Sequence, residues 1–148
     1  MRLGHHLGFA IACVGALISI PAHAEDLYLS CKGRTEYPDG RFMFPLDDKY
    51  HVTDYGFKFW NKLNNIFVDS CGLQGDQCKT EVTATFIRYT RIYTRPQLRT
   101  SIHINRLTGA YLAYGLSLKR EDASDPQISR TIGTCEKIAN PAAQTPKF

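Results

Sequence analysis

Cysteines, histidines and a run of arginines and tyrosines carry what chemistry this sequence has beyond its first two dozen residues. Cys71 and Cys78, joined by His51 and His103, would supply four zinc ligands. Structural zinc sites use closely spaced pairs, Cys-x2-4-Cys. Here six residues intervene, "GLQGDQ", and their two glycines let the chain fold back so that the thiols can oxidise to a disulfide. The spacing also departs from the two-residue gap that tunes a thioredoxin-like thiolate. No metal and no cofactor is expected.

Nucleophilic catalysis needs a nucleophile, a base beside it and a third group to orient the base. His103 stands between Ile102 and Ile104 and so points away from whatever face they share. His51, in "KYHVTD", has Asp54 nearby but no Gly-x-Ser-x-Gly elbow. Paired carboxylates could serve a glycosidase, yet the acids are scattered, many of them in turns. The reading is therefore no catalytic residue and no enzyme.

Binding chemistry is better represented. In "RYTRIYTRPQLR", Tyr89, Arg91 and Tyr93 share one face of an extended strand, and Arg95 follows. Arginine forks with tyrosine rings suit carboxylates, phosphates and sugars. The alternative is a solvated strand face whose arginines guard an edge. A second candidate is Arg106, in "INRLTG". There Asn105 suits a turn and Gly109 can take the positive φ at its exit, so Arg106 is left without a structural reason. A third candidate is the pinned loop "CGLQGDQC", since a preorganised loop binds at lower entropic cost.

Compartment narrows the partners. Arg2 and two histidines precede the apolar run "LGFAIACVGALISI", and "AHA" closes it before Glu25. This is the layout of a secretory signal peptide cleaved after Ala24; lipidation at Cys13 is the less favoured alternative. The apolar run is short for a membrane span, and no transmembrane segment is expected after cleavage. Removing residues 1–24 takes the formal charge of the 148-residue chain from +4 to +3. A mildly basic exported protein of periplasm or cell exterior meets little nucleic acid. An anionic envelope component or a secreted protein is the expected partner.

The elements that must position these residues are mostly strands. "DLYLSCKG" alternates Leu27, Leu29 and Cys31 against Tyr28, Ser30 and Lys32. "TEVTATFIRYTRIYT" is rich in β-formers. "RTEYPDGRFMFPLDD", with two prolines and a Pro-Asp-Gly signal, reads as a loop. Over 56–68, Phe57, Trp60, Leu63 and Phe67 fit a helix face, but Gly56 and three asparagines oppose it, so strands are expected. The result is an all-β domain over 25–138, an antiparallel meander of about seven or eight strands closed as a barrel or folded as a sandwich. A loose tail spans 139–148. Four cysteines in the exported part allow three disulfide pairings. Cys71–Cys78 with Cys31–Cys135 is preferred, the latter tying the first strand to the last. Closing that long loop is worth about 4–5 kcal/mol in the chain-entropy model.

The early "LYLSCKG", the hairpin "INRLTGAY" and the late "GTCEK" together resemble a group of small exported bacterial proteins of uncharacterised function. These share Leu-x-Cys-x-Gly, an Ile-Asn-Arg-x-Thr-Gly hairpin and a C-terminal cysteine. The resemblance implies a β-rich, exported chain with Cys31 bonded to Cys135; it supplies no activity. The segment with Cys71 and Cys78 departs from that pattern. A looser likeness, at the level of fold, is to periplasmic inhibitors of C-type lysozyme. The function expected is thus a non-enzymatic binding protein, with an inhibitor of a secreted hydrolase such as lysozyme as the alternative.

Overall fold

The computed structural model describes residues 26–40, 43–72, 75–95, 97–117 and 127–143. The expected leader with Cys13, most of the polar stretch "EDASDPQ" and residues 144–148 of the expected tail lie outside them. Nine strands follow in chain order: β1 (Leu27–Glu36), β2 (Met43–Thr53), β3 (Gly56–Asn61), β4 (Ile66–Asp69), β5 (Gln77–Val82), β6 (Phe86–Tyr93), β7 (Leu98–Asn105), β8 (Ala110–Ser117) and β9 (Gln127–Lys137). They form one curled half-barrel sheet of order β4-β3-β2-β1-β9-β8-β7-β6-β5.

The expected meander is present, and its strand count rises to nine. The reason is that "TEVTATFIRYTRIYT", read as one strand segment, reverses at Thr83–Thr85 and supplies both β5 and β6. The stretch expected to be a loop instead lengthens two strands. β1 runs on to Glu36 and β2 begins at Met43, paired residue for residue. The Pro-Asp-Gly signal makes only the reversal, where the Gly40 N–H donates to the Tyr37 carbonyl at 2.9 Å. Pro45 sits where β2 has a neighbour on one side, since β3 pairs only with Tyr50–Thr53. A residue without an N–H is tolerated at such an edge. Residues 56–68 are two strands, with Asn65 at positive φ in the turn between them.

Each consecutive pair of strands is hydrogen-bonded antiparallel except β4 and β5, and the first strand closes on the last. That exception follows from parity. Eight antiparallel steps separate β4 from β5 around the sheet, so the two run in the same direction. A parallel pair needs a crossover of about a dozen residues, and only residues 70–76 connect them. The seam stays unpaired.

Side chains close it instead. The inner face of the sheet buries Leu29, Cys31, Tyr50, Val52, Phe57, Ile87, Tyr89, Ile102, Ile104, Tyr111 and Ala113. Phe57 of β3 stacks on Tyr89 of β6, centroids 4.7 Å apart, across the core. The Tyr50 and Tyr111 hydroxyls meet at 3.1 Å. Burial raises both hydroxyl pKa values, Tyr111 to about 12, so the pair stays neutral.

Both preferred disulfides are formed. Cys31 and Cys135 are direct partners in the β1–β9 register, and Cys71–Cys78 spans the seam. Bonds of this kind favour an oxidising, extracytoplasmic environment. Beside the first, Gly33 and Gly133 face each other, and a Cβ on Gly133 would lie 2.2 Å from the Lys32 carbonyl oxygen. The two glycines are what lets β1 and β9 come so close. Past β9, Asn140 donates to the Tyr28 hydroxyl at 3.1 Å. Among the described residues no helix is long and apolar enough to cross a membrane.

Candidate functional site

The hairpin turns alternate between the two ends of the sheet. One end carries the turns β2–β3, β5–β6 and β7–β8, and its mouth is the best-formed concavity. Leu27 and Leu29 of β1, Ile87 of β6 and Ile104 of β7 floor a cup of about 430 Å³. Cys135 and Lys137 of β9 line one side, and the Asn105–Gly109 turn forms another. The floor is apolar because it is the end of the inward-facing set of each strand. The volume falls in the range of small-molecule sites, ~300–1,000 Å³.

The turn is rigid by construction. The Asn105 Oδ1 accepts the N–H groups of Leu107 and Thr108 at 2.9 and 3.0 Å. The Gly109 N–H donates to the Asn105 carbonyl at 2.8 Å. Gly109 has φ +73, and a Cβ there would lie 2.4 Å from the Cys135 carbonyl oxygen. In return the Cys135 N–H donates to the Gly109 carbonyl at 2.7 Å. The turn therefore needs glycine twice, for its φ and for its contact with β9. Arg106 has a structural task as well, contrary to expectation. Its N–H donates to the Thr85 carbonyl and its Nη1 to the Thr83 carbonyl, clasping the β5–β6 turn.

The expected binding strand is placed differently from the surface reading. Tyr89, Arg91 and Tyr93 do share a face, but it is the inner one. Tyr89 is buried against Phe57, and its hydroxyl donates to Cys78 Sγ at 3.4 Å. Arg91 grips Asp76 through Nε at 2.9 Å and Nη2 at 2.6 Å, with its guanidinium 4.1 Å over the Tyr93 ring. The Thr94 N–H donates to the other oxygen of Asp76 at 3.1 Å. Those bonds hold the Asp76 carboxyl below its ordinary value. This cluster anchors the Cys71–Cys78 loop. Nor does the strand guard an edge, because β6 is paired on both sides and the edges are β4 and β5. Arg95 is exposed in the β6–β7 turn, at the end opposite Arg106.

Among the described residues the two histidines, His51 and His103, lie on the outer face without a catalytic arrangement. His51 is sandwiched by Tyr28, centroids 4.4 Å apart, and Phe67, 5.5 Å, with Asp26 3.3 Å from Nε2. It is half-buried, since the rings of Tyr28 on β1 and Phe67 on β4 flank it. His103 lies between Arg88, 3.5 Å from Nδ1, and the Tyr114 hydroxyl, 3.3 Å from Nε2. Burial first, then Arg88 and Arg99, lower its pKa. Among the described residues no three His, Cys, Asp or Glu are grouped to hold a metal ion. A second concavity, of about 460 Å³, lies on the outer face of β5–β7. Its charged walls are partly spoken for, with Arg88 bonded to Glu81 at 3.3 Å.

Sequence reasoning missed Leu27, Leu29, Ile87 and Ile104 as a floor. Their alternation marks them as inward-facing, and Leu29, Ile87 and Ile104 do belong to the buried core. That this end of the core is left open as a cup depends on how the strands and turns are arranged around the sheet. No family model matches the chain, and neither does any curated protein or solved structure.

Proposed function

We propose that this chain is a non-enzymatic binding domain of the periplasm or cell exterior, and that its site is the cup. The observation that supports the reading is a cavity of about 430 Å³ over an aliphatic floor, exposed chiefly at Leu27 with Leu29, Ile87 and Ile104 packed beneath, under a polar rim carrying Arg106 and Lys137. That chemistry suits a small amphipathic anion, with its hydrocarbon on the floor and its acid group at the rim. The cup replaces the Arg/Tyr strand as the proposed site, because Tyr89 and Arg91 are engaged in holding the seam. The disulfides and the leader-like first 24 residues support export.

Calorimetric titration with decanoate, decanol and acetate tests the reading. Decanoate binds, decanol binds more weakly and acetate does not bind. Leu27→Trp, which fills the partly exposed floor, weakens decanoate by at least about tenfold, ~1.4 kcal/mol, without moving the melting temperature by more than a few degrees. Decanoate affinity unchanged in Leu27→Trp would sink the assignment.

A further inference from the structure

The same end of the sheet carries two exposed apolar side chains at turn tips. Tyr55, in the β2–β3 turn, is 94% exposed and Leu107, in the β7–β8 turn, is 76% exposed. Neither is a loose end. The Tyr55 N–H donates to Thr53 Oγ1 at 3.3 Å, and Leu107 is held by Asn105. The third turn there, Thr83-Ala84-Thr85, carries no charge and is braced by the Thr83 hydroxyl. The opposite end also exposes apolar side chains, Leu63, Phe44 and Tyr37, among turns that carry Lys62, Asp39 and Arg95, while at the cup end Asp54 precedes Tyr55.

We infer that the cup end docks on a lipid bilayer surface, with Tyr55 and Leu107 entering the interface and the cup opening onto it. This extends the cup reading, since the bilayer is the source from which an amphipathic anion is drawn. Three observations favour a bilayer over a protein partner. A protein interface has a contiguous packed core, whereas these apolar groups are separate protrusions on different turns of a concave mouth. Separate braced tips can each enter a soft medium without shape complementarity. Tyrosine sits well at the headgroup level, with its ring buried and its hydroxyl wet, and leucine goes below it. Arg106 lies next to Leu107 in the chain, and Lys137 lines the same mouth. Arg106 stays bonded to the Thr83 carbonyl, so its charge and that of Lys137 act on the membrane surface as fixed positive charges at the mouth, and anionic lipid is favoured.

Vesicle co-sedimentation tests the inference. The strands all lie within residues 27–137, so the protein is used without residues 1–24, whose apolar run would bind lipid by itself. The protein sediments with phosphatidylglycerol/phosphatidylcholine vesicles more than with phosphatidylcholine alone. Tyr55→Ser/Leu107→Ser lowers the partition coefficient by about tenfold with an unchanged melting temperature. Leu63→Ser, at the other end, leaves it unchanged and serves as the control. Equal sedimentation of the double variant, a loss in Leu63→Ser, or no sedimentation with either vesicle overturns the inference. Leu27→Trp separates the two readings. If it sediments normally but no longer binds decanoate, both stand. If decanoate binding proves absent while tip-dependent sedimentation persists, the cup reading alone fails.

Discussion

The first and last strands meet at β1–β9, in the middle of the sheet, and the sheet's two edges meet at β4–β5; the two joints are closed by different means. At β1–β9 the strands run antiparallel, and a ladder from Leu29–Lys137 to Glu36–Arg130 joins them. Cys31–Cys135 and the facing glycines add to a joint that the backbone has already made. At β4–β5 the strands run in the same direction, and the connection is too short for a crossover. Here closure passes to side chains: the Cys71–Cys78 bond and the Phe57–Tyr89 stack, with the Arg91–Asp76 pair anchoring the connection to β6. The contrast shows why arginine and tyrosine gather on β6. Where strand direction forbids a ladder, the groups that replace it must be large, polar at their tips and able to reach.

The largest expected effect comes from the first joint. Cys31→Ser/Cys135→Ser releases a loop of 104-residue separation and should cost about 4.8 kcal/mol by chain entropy. Chemical denaturation would measure it as a global loss, because the β1–β9 ladder is the joint between the two halves of the sheet. A loss confined to one hairpin would break the comparison.

Cys71→Ser/Cys78→Ser opens a separation of 7 and should cost less, about 2.5 kcal/mol. The decisive readout is local. Amide exchange should quicken in β4 and β5 while β1 and β9 stay protected, since the seam has no ladder to fall back on. Uniform loss of protection would mean that the seam is no weaker than the first joint.

The smallest effect is the most specific. Asp76 titrates below its ordinary value because Arg91 and the Thr94 N–H bond its carboxylate. A depressed carboxyl stabilises the fold fully above its unfolded value and loses that contribution as pH falls through the folded one. Asp76→Asn should therefore be less stable than the parent near neutrality, and the gap should close as pH falls below about 4. Melting temperatures across that range would show it; a gap independent of pH would mean that the ion pair does not hold the seam.

Much of the architecture was legible beforehand. Alternation in Leu27-Leu29-Cys31 marks a strand locally, because the strand period is two whatever the neighbours. The alternation of Val82-Ala84-Phe86 instead hid a reversal: Ala84 is the tip of the β5–β6 turn. Asn105 and Gly109 announce their turn, since their roles lie within five residues of chain. The prolines of 38–45 misled, as Pro45 is tolerated only because β3 stops short of it, a fact about another strand. Arg106 also misled, since its carbonyl partner is Thr83, in a different hairpin. The Arg/Tyr strand was correctly seen to share one face, but not which side of the sheet that face occupied.

By itself, then, the sequence determined an all-β chain, its strand segments, its turn residues and a preferred set of disulfides. Those rest on local propensity, period and the chemistry of paired thiols. Tertiary structure decided the parity of the ring, the unpaired seam, the engagement of Tyr89 and Arg91 within it, and the cup at the mouth. Each depends on how nine strands are ordered and directed around the sheet, and no window of sequence contains that ordering.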